Sequence, residues 1–367
     1  MNPPPQTPAQ RPAPRDPAPE TDVLGTPETR LRTAGAPLGS TGASVPAPAA
    51  GVAGADNPFA ATPFERTKRR RLKWNRWMMF GFCIILIVPL VAILADIFIK
   101  AAPVLSLDYL WANPENKGKG GGIWAPLVGT FYLVIGSLFF VAPIGILAAI
   151  YLNEYAKEGW LNRTIGITVT SLAGVPSIVH GLFGLGAFVL TMLPAINGAL
   201  GLTSHKLEAG LLTASLTIAV MNLPVVITST REALGAVPQA FREACWNLGA
   251  TRWQTIRTIV LPNSFSGILT GIILVVSRAA GETAPILFTG VTFFKFVADE
   301  GLAKIFPYHP GEPFMAMSMH LNIISNQISR MPENMKYGSA AVLIALILFI
   351  NSFAIVLRVW LRGRKRW

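Results

Sequence analysis

Arg278 and Glu282 stand in a run, Gly267 to Phe288, that is otherwise apolar enough to cross a membrane. An ionised side chain at a bilayer centre costs roughly 2.5–3.5 kcal/mol on insertion scales, so both groups must face protein or water, commonly along a substrate or ion path. Four residues apart on a helix, they share one face, with Cβ atoms about 5–6 Å apart. Two chemistries follow. The pair can neutralise itself and lock a bundle, or the guanidinium can present paired donors to an oxyanion, with the carboxylate as competitor. No Walker loop or nucleophile elbow accompanies them, and no acid and base share a pocket. Cys83 and Cys245 offer neither a disulfide framework nor a metal set. His180, His205, His309 and His320 lack metal-ligand spacing. No cofactor, no metal and no catalytic residue is expected.

The elements that must position the pair are membrane helices. The chain of 367 residues is 51% hydrophobic and only 14% charged, with mean hydropathy +0.47. A soluble domain carries about 25% charged residues. Six apolar runs reach spanning length, at about 77–100, 125–152, 165–193, 207–229, 264–289 and 338–361. Their continuity excludes the alternating strands of a membrane barrel. The net charge of +12 clusters beside the spans, which points to membrane lipid and not to nucleic acid. With both termini inside, 18 Lys and Arg fall on the inner side near the spans and 8 on the outer side. That bias favours cytoplasmic N- and C-termini.

Three stretches lie outside the spans. Residues 1–65 are rich in Pro and Ala and lack the apolar core of a signal peptide, so a disordered cytoplasmic tail is expected. A basic juxtamembrane segment, 66–76, leads into the transmembrane domain, 77–362. The outer loop at 101–124 contains Lys117-Gly-Lys-Gly-Gly-Gly122, which reads as flexible. The outer loop at 290–336 alternates Met315, Met317 and Met319, suited either to an adaptable partner or to packing on the bundle.

The inner loop 230–263 has its own helical pattern. Pro238 suits a first turn, Phe241, Ala244, Cys245 and Leu248 recur at helical spacing, and Gly249 suits a stop. A second helix begins at Ile256 and is expected to end at Pro262. The result is an elbow shaped to lie in a partner's groove. Its residues Glu243, Ala244, Cys245, Gly249, Ile259, Leu261 and Pro262 resemble, at full spacing, the coupling motif of ABC-importer permeases, with Cys245 in place of an alanine. Gly145–Tyr155, Ala173–Gly184 and Ser277–Pro285 further resemble the A-type permease of phosphate-specific importers, over about residues 77–360.

That resemblance implies an all-α membrane protein with six transmembrane helices and a cytoplasmic coupling-helix elbow, the MetI-like ABC importer permease fold, in a bacterial inner membrane. It implies phosphate as cargo and three partners: a C-type second permease, a dimeric ATPase that hydrolyses the ATP, and a periplasmic phosphate-binding protein. It places Arg278 and Glu282 on the substrate path. The elbow would carry ATPase closure into the fifth span, and Gly249→Asp should then interrupt docking and uptake. Pro176, Pro224, Gly281 and Pro285 are candidate hinges, because each proline frees a carbonyl four residues back. Gly267 and Gly271 permit close approach of a neighbouring helix. A permease for molybdate or sulfate, and a membrane scaffold that senses phosphate, are the alternatives.

Overall fold

The computed structural model describes residues 63–201, 206–298 and 300–363. The tail expected over 1–65 lies outside the described residues except for its last three, which open the first helix, and residues 364–367 of the basic C-terminus also lie outside them. Among the described residues, six helices have the length and apolar composition of membrane spans. The chain is a multi-pass, all-α membrane protein.

Helix α1 runs from Pro63 to Ala101, and no residue in the most apolar 18-residue window of its span Trp74–Ala101 is buried in the single chain. So large an apolar surface needs lipid or another subunit against it. Helix α2 (Trp124–Tyr155) ends in a π turn at Tyr151–Tyr155. Helix α3 (Trp160–Ala173) buries none of its residues, and helix α4 (Ser177–Ala199) follows it after the break at Gly174-Val175-Pro176. The third expected span is therefore two helices. Proline at 176 lacks the N–H that would continue α3, and the Leu172 carbonyl takes the Val175 N–H instead at 3.2 Å.

Helix α5 (Leu211–Gly235) is the most buried span and packs along α2, α4 and α7. Next come the short helix α6 (Gln239–Asn247) and then α7 (Arg252–Gly281), which packs on α5 and on α10 (Glu333–Gly363). The α5–α7 contact is close because Gly267 and Gly271 have no side chains. A Cβ at Gly267 would sit 2.6 Å from the Cβ of Ala233, and one at Gly271 only 1.9 Å from the Ser229 hydroxyl. Small residues of this kind let membrane helices approach backbone to backbone.

A cap closes the bundle end where α7 stops. It contains α8 (Ala284–Leu287) and α9 (Met317–Asn326). Phe314, Met315, Met317 and Met319 are buried, so the alternating methionines pack on the bundle rather than present a free surface. The glycine-rich run is also ordered. Pro114–Glu115 pairs antiparallel with Gly120–Gly121 around a 3-10 turn, and Gly122 N–H bonds Asn113 O at 3.0 Å.

Candidate functional site

The elbow is built by helix-end chemistry. Pro238 stands at the N-cap of α6 with φ −58° and ψ 140°. At the other end Gly249 takes φ +83°, the left-handed region that glycine enters freely. Gly249 N–H then bonds Trp246 O at 2.9 Å, and Ala250 N–H bonds Cys245 O at 3.0 Å. This paired pattern is a Schellman stop. Two residues on, Thr251 and Gln254 form a reciprocal capping box that starts α7. One helix stops and the next begins within four residues.

Pro262 does not end the second helix. The chain stays helical from Arg252 to Gly281, with a π turn at Ile256–Val260 directly before the proline. Leu261 N–H bonds Ile256 O, five residues back. Widening the turn makes room for the proline ring, which would otherwise clash with the carbonyl of Thr258.

The motif residues Glu243 and Ala244 are exposed on α6, and Cys245 is half-buried. Phe241, Trp246, Leu248 and Trp253 expose large apolar surfaces around the elbow, with Leu248 at 89%. Unpartnered apolar surface on so short a helix fits a groove-docking element. Ile259, Leu261 and Pro262 are half-buried, and their neighbours Ile256 and Val260 close a small core with Ile150, Leu234 and Val237.

Arg242 is the side chain that α6 buries. It pairs with Glu154 in the last turn of α2, Nη2 to Oε1 at 2.9 Å and Nε to Oε2 at 3.3 Å. Their side chains are 8% and 10% exposed. Nη1 also donates to Val237 O at 2.6 Å, and Nη2 to Leu234 O at 2.9 Å. A cavity of about 530 Å³, lined partly by Lys157, Trp246 and Arg252, opens beside the pair. Sequence reasoning missed this contact because its partners lie 88 residues apart. The available signal was a lone acid at the end of one span and a basic residue directly before the coupling motif.

The charged pair sits at the opposite end of α7. At 1.5 Å rise per residue, Arg278 lies about 29 Å along the helix from Ile259. Arg278 Nε donates to Glu282 Oε1 at 2.9 Å, with the side chains 39% and 16% exposed. Arg278 lies in the last turn, where the helix dipole favours a cation. The helix stops at Gly281, so Glu282 is the extended C-cap residue rather than part of a continuous span. The Ser318 hydroxyl of α9 donates to the Glu282 carbonyl at 2.8 Å, fixing the cap against this terminus. Arg278 uses Nε alone here, leaving both terminal nitrogens without a hydrogen bond among the described residues.

The four hinge candidates fall in different settings. Pro176 marks the α3–α4 break. Pro224 lies inside an uninterrupted α5. Gly281 is the last residue of α7, and Pro285 occupies the first turn of α8, where a missing N–H removes no helical bond. The backbone of Pro285 abuts Gly181 of α4, with 2.9 Å between its Cα and a Cβ built on the glycine. Among the described residues no group of three or more His, Cys, Asp and Glu could hold a metal ion.

Comparison with known proteins places this architecture. The probable ABC transporter permease protein YqgI of Bacillus subtilis is 31% identical over 281 residues, spanning 74% of this chain and 90% of that protein. The phosphate transport system permease protein PstA of Mycobacterium leprae is 34% identical over 227 residues, 60% of this chain and 69% of that one. A solved bacterial ABC transporter that imports the acidic polysaccharide alginate aligns over 80% of this chain and 97% of its own, at 17% identity and a TM-score of 0.48. The family profile described as binding-protein-dependent transport system inner membrane component matches residues 141–367. The chain belongs to that family: it is an ABC-importer permease subunit of the inner membrane.

Proposed function

We propose that this permease carries phosphate, paired with a second permease, energised by a dimeric ATPase at the elbow and supplied by a periplasmic phosphate-binding protein. The elbow end then faces the cytoplasm, as do both termini, in keeping with the excess of Lys and Arg there. ATP hydrolysis belongs to the partner. The phosphate transport system named in a relative supports the cargo. The exposed apolar elbow supports the ATPase dock.

The observation that carries the reading is the half-open Arg278–Glu282 pair. Two unengaged guanidinium nitrogens match two oxygens of a compact oxyanion. Glu282 neutralises Arg278 when the path is empty. An arriving phosphate competes with it, and the returning carboxylate speeds release. A site that must pass its cargo needs this competition, since each 1.4 kcal/mol of extra affinity slows release about tenfold if association is unchanged. Arg278→Gln should abolish most uptake, and Glu282→Gln should retain binding while slowing turnover. Labelled-phosphate uptake at matched membrane abundance tests both. Normal uptake by the two variants would refute the role. Competition by molybdate and sulfate in the same assay reads the cargo, and copurification without any ATPase would instead indicate a sensing scaffold.

A further inference from the structure

We propose that Arg242 and Glu154 are positioning residues for energy transfer: together they form a strut that makes α6, the end of α2 and the end of α5 move as one body. This rests on the reading of α6 as the helix that docks the ATPase. Three observations carry it. Arg242 and Glu154 are each about nine-tenths buried or more, at 8% and 10% exposed. One guanidinium ties three elements, pairing with Glu154 on α2 and bonding the carbonyls of Leu234 in α5 and Val237 just beyond it. Pro238 has no N–H to offer the Leu234 carbonyl, which takes the Val237 N–H at 3.2 Å, and the buried cation adds a second bond there and suits the dipole. Asn153 steadies the carboxylate, its Nδ2 donating to Glu154 Oε1 at 2.8 Å.

The chain's direct route from α6 to α7 differs in kind. It runs through Gly249, a left-handed glycine with nothing within 4 Å of a built Cβ. Movement of α6 therefore reaches α2 and α5 through a charged side-chain bridge, and α7 through a backbone turn and the apolar core that Ile256 and Val260 share with Ile150, Leu234 and Val237. The glycine-lined α5–α7 contact is where the two would slip past each other, with Arg278 at the far end of α7. The unit that the ion pair drives directly is α2 with α5, and the span that follows the elbow is moved through the core it shares with them.

Replacing a buried ion pair by apolar residues of similar volume is often neutral or stabilising. The Glu154→Leu, Arg242→Met double variant thus separates coupling from stability. In proteoliposomes of the full complex, phosphate carried per ATP hydrolysed should fall about tenfold, while thermal stability and ATPase copurification stay normal. Arg242→Lys, which keeps the charge with fewer donors, should retain an intermediate ratio. Spin labels at Ala240 and Glu158 give a readout independent of cargo. Their separation should stay fixed on nucleotide binding in the otherwise native complex and change in the double variant. An unchanged ratio with an unchanged label separation would overturn the strut. So would a parallel loss of abundance, docking and both rates without rescue by Arg242→Lys, which marks mere structure. Absence of ATPase from the native preparation would overturn the docking role of α6, and the strut with it.

Discussion

Gly249 gives a test in which backbone preference can be separated from bulk. Its φ of +83° lies where L side chains rarely go, and nothing lies within 4 Å of a built Cβ. A substitution there meets no neighbour, so its effect is the cost of the conformation. For an L-residue that cost is roughly 1–2 kcal/mol. This corresponds to about a 5- to 30-fold shift away from the native turn. The turn relaxes by giving up the Gly249–Trp246 and Ala250–Cys245 bonds, which frays the end of α6 that carries Trp246 and Leu248. Gly249→Ala should therefore weaken ATPase binding about 5- to 30-fold, if only the native turn docks. Gly249→Asn should cost least, since Asn accepts the left-handed region, and Gly249→Val most, being β-branched. Titration of the ATPase onto permease in nanodiscs measures the series. Equal loss with Asn and Val would show that size, not φ, governs the position, and native affinity in all three would refute the argument.

Two other perturbations follow from the described geometry. Burial holds the His320 imidazole at a pKa of about 4, below its ordinary 6.5. Unfolding lets it take up a proton, so stability from this site is complete above about pH 6.5, the ordinary value, and is lost as pH falls towards 4, by ~3 kcal/mol in all. His320→Leu should flatten the fall of Tm between about pH 7 and 4.5 in the purified complex; parallel slopes would contradict the burial argument. Pro262→Ala removes the ring that holds the Ile256–Val260 turn wide. It should leave ATPase binding intact and reduce uptake severalfold, whereas normal uptake would mean that the turn's width is irrelevant to transport.

Hydropathy located the spans well but not their ends. The fifth was expected from 264, yet its helix begins at Arg252, because hydrogen bonding continues a helix past the point where apolar side chains stop. The third run divided at Gly174–Pro176, since composition averages over a break that one missing N–H can make. Arg278 and Glu282 were legible as a pair from spacing alone. The stop at Gly281 was read only as a candidate hinge, through the carbonyl that Pro285 frees, while the Ser318 hydroxyl that holds the Glu282 carbonyl lies more than thirty residues downstream and left no local signal. Gly249 could be read as a helix stop because its bonds are local. Arg242 could not be read, because its partner Glu154 belongs to a different span.

The π turn ahead of Pro262 holds one residue more than an α turn would. Were it to tighten, everything beyond it would rotate by about 100° and advance about 1.5 Å per residue released. That is a change of phase: Arg278 would leave the side of α7 that it now faces. The proline forbids it, because tightening drives its ring into the carbonyl of Thr258. A residue that reads as a stop in the sequence therefore guards the angular setting of the whole helix, and so the bearing of a guanidinium about 24 Å away along it.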